Sequence, residues 1–208
     1  MRCAHYCPAR QYYGSKAGIP MSLRVIAGTA RGHKLKPVPG KGTRPITDRV
    51  KENLFNILGV DVTGSTWWDL FGGTGAIGIE ALSRGATFVR YCEMSRIAVD
   101  VIRSNLEHCK MGDRAEIKRG DVFAFLDATP DRAFDYIYIA PPQYKEMWTR
   151  ALLALDKNPG WLSDDSWVVV QIHPKEFRDH QNMVFQNFEK FDERKYGSTL
   201  LVFYEKKE

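Results

Sequence analysis

The residues with the most chemical content lie in one run, Asp69-Leu70-Phe71-Gly72-Gly73-Thr74-Gly75-Ala76-Ile77-Gly78. Glycines let backbone come close to a ligand, and a helix that follows them offers free N–H groups to an anion. Gly73, Gly75 and Gly78 match G-x-G-x-x-G, and Glu93 lies 20 residues after Gly73 at the end of the next apolar run. That is also the dinucleotide fingerprint, so the glycines alone leave a nicotinamide-dependent oxidoreductase open. Asp69 argues the other way. It stands just ahead of the loop, where a dinucleotide would place its pyrophosphate, and two negative groups repel strongly in a poorly screened crevice. A ligand with a cationic amine would be attracted to Asp69, while its own carboxylate met the loop N–H groups. S-adenosylmethionine has that combination, together with a sulfonium and an adenosine.

In that reading Glu93 accepts from both ribose hydroxyls. Asp121, in Gly120-Asp121-Val122-Phe123, accepts from the adenine amino group. Phe71, Gly72, Gly73, Thr74, Gly75 and Val122 complete the expected cofactor contacts. Asp69 and Glu93 are 24 residues apart and Glu93 and Asp121 are 28 apart, about one βα unit each. Acids at three successive strand ends would face one crevice, where open α/β sheets bind ligands. The alternative for each acid is a helix cap or a solvated loop residue.

The elements that must position these groups follow from periodicity. Leu23 to Leu35 alternates short apolar and basic residues around Gly28 and Gly32, which predicts a small hairpin. Thr47-Asp48 starts a helix with Val50, Leu54, Ile57 and Leu58 at helical spacing. Strands are then expected at 67–71, 88–93, 115–119, 134–140 and 167–173. Helices are expected at 76–82, after Ser95 with Ile97, Val101, Ile102 and Leu106 inward, at 121–126 and at 145–155. A closing hairpin pairs 188–195 with 199–204 about Gly197. The pattern predicts a Rossmann-like α/β fold: a mostly parallel seven-stranded sheet, helices on both faces, a terminal antiparallel hairpin and a small N-terminal hairpin extension.

Charge is distributed unevenly along the 208 residues. The formal net charge is +5, but residues 1–51 hold 11 Lys and Arg against the single acid Asp48. A basic arm on a mildly acidic body points to a polyanion, because lysine and arginine gain affinity by displacing phosphate counterions. A solvated charged tail is the alternative. Residues 1–20 lack the apolar core of a secretory signal; they are expected to be unstructured, or to precede a true start at Met21. Residues 21–46 then form a basic extension and 47–208 the catalytic domain. No apolar run approaches a membrane span. Cys3, Cys7, Cys92 and Cys109 show no paired CxxC pattern, so neither a metal site nor a disulfide framework is expected and a cytoplasmic location fits; separately, a monomer is expected. Cys92, Cys109 and the tryptophans read as core, and His173 as a satisfied structural histidine.

At the level of motifs the chain resembles class I S-adenosylmethionine-dependent methyltransferases. More narrowly, it is similar to the RsmD family, bacterial enzymes that methylate the 2-amino group of a guanine in small-subunit (16S) ribosomal RNA. The resemblance rests on Arg24–Gly28 with Arg31-Gly32 and Lys34-Leu35, on Arg44–Asn56, on Asp69–Gly75 and on Glu80–Ala86. It implies ribosomal RNA or an assembling small subunit as partner, and Arg24, Arg31, Lys34, Lys36 and Arg44 as phosphate contacts, with His33 as a further one. Such amine-methylating enzymes carry Asp or Asn, then Pro-Pro, then Tyr or Phe, at the end of the fourth strand. Here the tetrad is Ala140-Pro141-Pro142-Gln143, followed by Tyr144. An exocyclic amine is a poor nucleophile because its lone pair is delocalised into the base, and hydrogen-bond acceptors localise that pair. Ala140 removes the side-chain acceptor and leaves the Pro141 carbonyl. Pro141, Pro142, Gln143 and Tyr144 are therefore the expected catalytic residues, with Gln143 and Tyr144 taking over the acceptor and stacking roles. The alternatives are an enzyme active through positioning alone, and a cofactor-binding RNA-binding protein that has lost catalysis.

Overall fold

Apolar residues that alternate along the strands divide the core into two layers, one on each face of a single sheet. The computed structural model describes residues 23–40, 46–143, 145–181 and 183–207. Its strands are β1 (Thr66–Asp69), β2 (Phe88–Glu93), β3 (Ala115–Arg119), β4 (Phe134–Ile139), β5 (Leu162–Ile172), β6 (Phe188–Tyr196) and β7 (Thr199–Lys206). They form a seven-stranded sheet in the order β3-β2-β1-β4-β5-β7-β6. The first five strands are mutually parallel, and β7 runs antiparallel to both β5 and β6. The chain order reverses direction across the sheet between β1 and β4, which is the topological switch point where such sheets bind ligands.

One face buries Trp67, Tyr91, Tyr136, Tyr138, Val169 and Phe203. It is covered by α1 (Asp48–Leu58), α2 (Ala76–Ser83), α3 (Arg96–His108) and the N-terminal hairpin. The other face buries Trp68, Leu70, Ile137, Ile139, Val168 and Val170 under α4 (Val122–Leu126), α5 (Met147–Lys157) and α6 (Pro174–Phe177). Trp67, Trp68, Trp148 and Trp161 are buried, as are Cys92 and Cys109. Two boundaries depart from periodicity. The fifth strand begins five residues before the apolar run, because Leu162 pairs with Phe134 across an irregular register. The inward stripe of α3 is Ala98, Val99, Ile102, Asn105 and Leu106, whereas Ile97 is exposed. At 100° per residue Ile97 lies about 140° around the helix from Ile102, off the buried stripe, although its neighbours Ala98 and Val99 are buried.

The N-terminal hairpin is held by the Arg24–Lys34 bridge, and its Leu23, Val25, Ala30 and Leu35 join the core. It lies lengthwise along α2. Its open end reaches α3, where the Lys36 N–H donates to Asn105 Oδ1 at 2.8 Å, and its tip docks where the Thr29 N–H meets the Ser83 carbonyl at 2.8 Å. The fastening between is a buried carboxylate. Glu80, at 0% exposure, accepts from Ile26 N (2.8 Å), Ala27 N (3.0 Å) and Arg84 Nε (2.8 Å), with Lys51 Nζ at 3.3 Å. Burial pulls the Lys51 ammonium below the usual lysine range, and Glu80 opposes that pull.

Removing one member of a buried charged cluster strands the others. Glu80→Ala is expected to cost about 3–5 kcal/mol in urea unfolding. Lys51→Met should cost less, since Arg84 stays on the carboxylate. A Glu80→Ala loss below about 1 kcal/mol would show that the cluster does not hold the hairpin.

Candidate active site at the sheet switch point

Five parallel strands end on one edge of the sheet, and a cavity of about 900 Å³ opens there. It is lined by Asp69, Phe71, Gly72, Gly73 and Thr74 after β1, by Glu93 after β2 and by Asp121 and Val122 after β3. Ala140, Pro141, Pro142 and Gln143 line it after β4. The structure thus brings together on one cavity all but one of the described residues expected to bind cofactor, and all of the described catalytic candidates. The exception is Gly75, whose N–H closes the turn on the Gly72 carbonyl at 2.7 Å. Gly75 precedes α2 with φ +76°, a left-handed conformation that glycine adopts without a Cβ clash. One turn on, Gly78 lets α2 press onto the sheet, since a Cβ there would run into the Tyr91 hydroxyl and Val89. Tyr144 and Arg44 lie outside the described residues.

Three of the loop N–H groups that the sequence offered to a carboxylate are already engaged within the protein. Phe71 N donates to Asp69 Oδ1 at 3.3 Å, Gly72 N to the Cys92 carbonyl at 2.8 Å and Gly73 N to Glu93 Oε2 at 2.9 Å. A tight turn beside β2 satisfies these three donors, because unpaired buried N–H groups are costly. The loop is also fastened from behind, where Asn105 Nδ2 donates to the Thr74 carbonyl at 2.9 Å and to the Lys36 carbonyl at 3.1 Å.

Each of the three acids does two things at once. Glu93 Oε1 accepts from Ser95 N at 2.8 Å, and Asp121 Oδ1 caps α4 by accepting from Phe123 N at 3.1 Å. Both still line the cavity with lone pairs to spare, so the capping and ligand-facing roles coexist. Asp69 is different. It is 3% exposed, and among the described residues no cation pairs with it. Burial pushes its carboxyl up to about 7; the Phe71 N–H pulls against this and the neighbouring Glu93 carboxylate adds to it. A buried carboxylate without a counter-ion at a cavity wall suits a cationic ligand group.

Several lining residues were not singled out by sequence. Tyr138 and Gln171 come from β4 and β5, and Tyr196, Ser198 and Thr199 from the β6–β7 hairpin, whose turn hangs over the same edge. Ile46 and Val50 close the wall around the start of α1 beside Thr47, which the sequence did single out and which also caps the helix by accepting from Val50 N at 3.3 Å. Arg24, Arg31, Lys34 and Lys36 are exposed and stand outside the cavity. Arg24 pairs with Asp48 at 2.8 Å beside the α1 wall, and Lys36 Nζ donates to Ser104 Oγ at 2.7 Å. Arg31 sits at the hairpin tip, the length of α2 away from the glycine loop.

Comparison with known proteins agrees with this geometry. The family model described as "Conserved hypothetical protein 95" matches residues 23–205. "Putative rRNA methyltransferase YlbH" of Bacillus subtilis (strain 168) is 38% identical over 156 residues, spanning 74% of this chain and 84% of that protein. "Ribosomal RNA small subunit methyltransferase D" of Escherichia coli (strain K12) is 36% identical over 150 residues, spanning 72% and 74%. The solved structure "Putative methyltransferase yhhF from Escherichia coli" superposes with a TM-score of 0.76 at 31% identity, covering 89% of this chain and 98% of that one. The sheet order is that of a class I methyltransferase. By its sequence from Leu23 to Glu205 and by its fold, the chain belongs to the RsmD family of ribosomal RNA methyltransferases.

Proposed function

We propose that this chain transfers a methyl group from S-adenosylmethionine to the exocyclic 2-amino group of a guanine in small-subunit ribosomal RNA. The observation that carries the reading is Asp69: a buried carboxylate without a cation among the described residues, on the wall of the switch-point cavity, with Pro141-Pro142 just past the end of the neighbouring β4. The donor set fits the cofactor. Asp69 would hold its ammonium, Glu93 its ribose hydroxyls and Asp121 its adenine amine, while Gly72 and Gly73 keep the loop close to the ligand. When bound, the cofactor supplies an electrophilic methyl: the amine lone pair forms the N–C bond, the C–S bonding pair stays on sulfur, and the surplus N–H proton leaves to water.

The protein's part is positioning, which can supply about 7–11 kcal/mol at best when reactants are held in line. The Pro141 carbonyl lies at the cavity wall, where it can accept one N–H of the target amine. The described residues of the β4–α5 connection and the β6–β7 turn flank the mouth through which a flipped base would enter. Exposed Arg24, Arg31, Lys34 and Lys36 supply the phosphate contacts, and the partner is the ribosomal RNA or the assembling subunit. A second reading, a cofactor-binding RNA-binding protein without catalysis, is favoured by Ala140 alone. Transfer of radiolabelled methyl to unmodified small-subunit RNA and particles separates the two: incorporation supports the enzyme, and cofactor binding without incorporation supports the second.

Replacing Asp69 with Asn should weaken S-adenosylmethionine binding about 10–100-fold in calorimetry, the loss of a charge-assisted contact. The same change should stabilise the unliganded protein. The Asp69 carboxyl has a raised value of about 7 against an ordinary 3.8, so its charge opposes folding fully above pH 7 and fades toward pH 4. Unchanged affinity in Asp69→Asn would remove the carrying observation.

Neutralising Arg31, Lys34 and Lys36 together should weaken RNA binding and flatten the plot of log K against log salt by about 2 to 3, near 0.7–0.9 per lost phosphate contact. An unchanged slope would move the RNA surface elsewhere.

A further inference from the structure

We infer that Gln171 grips the amine of the target base, from the strand beside Ala140, in place of the side-chain acceptor that Ala140 lacks. The inference rests on the amine-methylating reading above. In the β4–β5 ladder Ile139 pairs with Val170, so Ala140 and Gln171 follow side by side at the strand ends. Side chains alternate between faces along a strand. Val169 and Tyr138 lie in the layer beneath α1 and α2, and two residues further along their strands Gln171 and Ala140 face the same way. Both line the cavity with Pro141.

Gln171 is also held in one orientation. The Tyr138 hydroxyl, itself buried, donates to Gln171 Oε1. Burial beside the Asp69 carboxylate drives the phenol well above its ordinary range, so it remains a neutral donor at any working pH. A carboxamide whose oxygen takes one bond from Tyr138 retains one oxygen lone pair and two N–H donors. The guanine edge that carries the 2-amino group presents an N–H donor next to the ring N3 acceptor. Gln171 can therefore accept from the amine with Oε1 and donate to the ring nitrogen with Nε2, while the Pro141 carbonyl takes the second amine hydrogen. Two acceptors on the amine draw it toward tetrahedral geometry and localise its lone pair. A carboxylate at 171 could accept but not donate, and an apolar side chain could do neither.

The test compares wild type, Gln171→Met, Tyr138→Phe and the double variant Ala140→Asn/Gln171→Met. The readouts are kcat and KM for labelled methyl transfer to unmodified small-subunit particles, and Kd for S-adenosylhomocysteine. Gln171→Met should lower kcat by about tenfold or more, with the S-adenosylhomocysteine Kd within about twofold of wild type. Tyr138→Phe, which frees Gln171 without removing it, should lower kcat less. Adding Ala140→Asn to Gln171→Met should recover most of the lost kcat, because the acceptor returns from the adjacent strand. Wild-type kcat in Gln171→Met would overturn the inference and leave the enzyme reading intact, as would a kcat loss matched by lost cofactor affinity or one that Ala140→Asn does not repair. A wild-type protein that binds cofactor but transfers no methyl would overturn the enzyme reading and this inference with it.

Discussion

Asp69 sets the condition that the rest of the site has to meet. Its carboxylate is buried at the end of β1, accepts from the Phe71 N–H, and has no cation beside it among the described residues. A buried charge in that situation takes up a proton or recruits a positive ligand. The surroundings favour recruitment. Glu93 and Asp121 bring two further carboxylates to the same cavity, and each accepts only backbone N–H groups, with no cation paired to it among the described residues. The result is an acidic pocket in a chain whose formal charge is positive, with the excess base kept on the outer hairpin.

The pocket and the hairpin are mechanically one object. Glu80, at the middle of the helix that starts from the glycine loop, accepts from the backbone of Ile26 and Ala27 and meets Lys51 of α1. Asn105 holds the carbonyls of Thr74 and Lys36 with one amide. The Glu80 and Asn105 side chains are buried, so these ties are expensive to leave half made. The basic hairpin is consequently fixed relative to the cavity by hydrogen bonds rather than tethered through a linker. Its open end, with Arg24 and Lys36, lies near the α1 wall and the glycine loop, and its Arg31 tip reaches toward the far end of α2. A substrate that touches all these cations must be extended.

How much of this was legible beforehand depends on whether a residue's role is local. The glycine loop, the three acids at strand ends, the Thr47 and Ser95 caps and the β6–β7 hairpin each carry their signal within a few residues, and each forms where the pattern placed it. The lining from Tyr138, Gln171, Ser198 and Thr199 was not legible, because sheet order alone brings β5 beside β4 and β7 beside β5. Glu80 carried a family motif but no structural role, and Asn105 carried no signal; only the packing of the hairpin over α2 and α3 gives them partners. Ile97 is exposed because it lies about 140° from Ile102 around the helix, and three loop N–H groups are already taken because Asp69, Cys92 and Glu93 supply acceptors that only the fold brings to the loop.

If Asp69 exists to meet a cation, ligand binding must expel the proton that the empty site holds below pH 7. S-adenosylhomocysteine, the product left when the methyl group departs, keeps the ammonium and is the suitable probe. Calorimetry at pH 6 in buffers of different ionisation enthalpy measures the protons released per ligand bound. With the carboxyl at about 7, the account predicts a release approaching one proton per ligand at pH 6 that disappears in Asp69→Asn. Binding at pH 6 with no proton released, or the same release from wild type and Asp69→Asn, would contradict it.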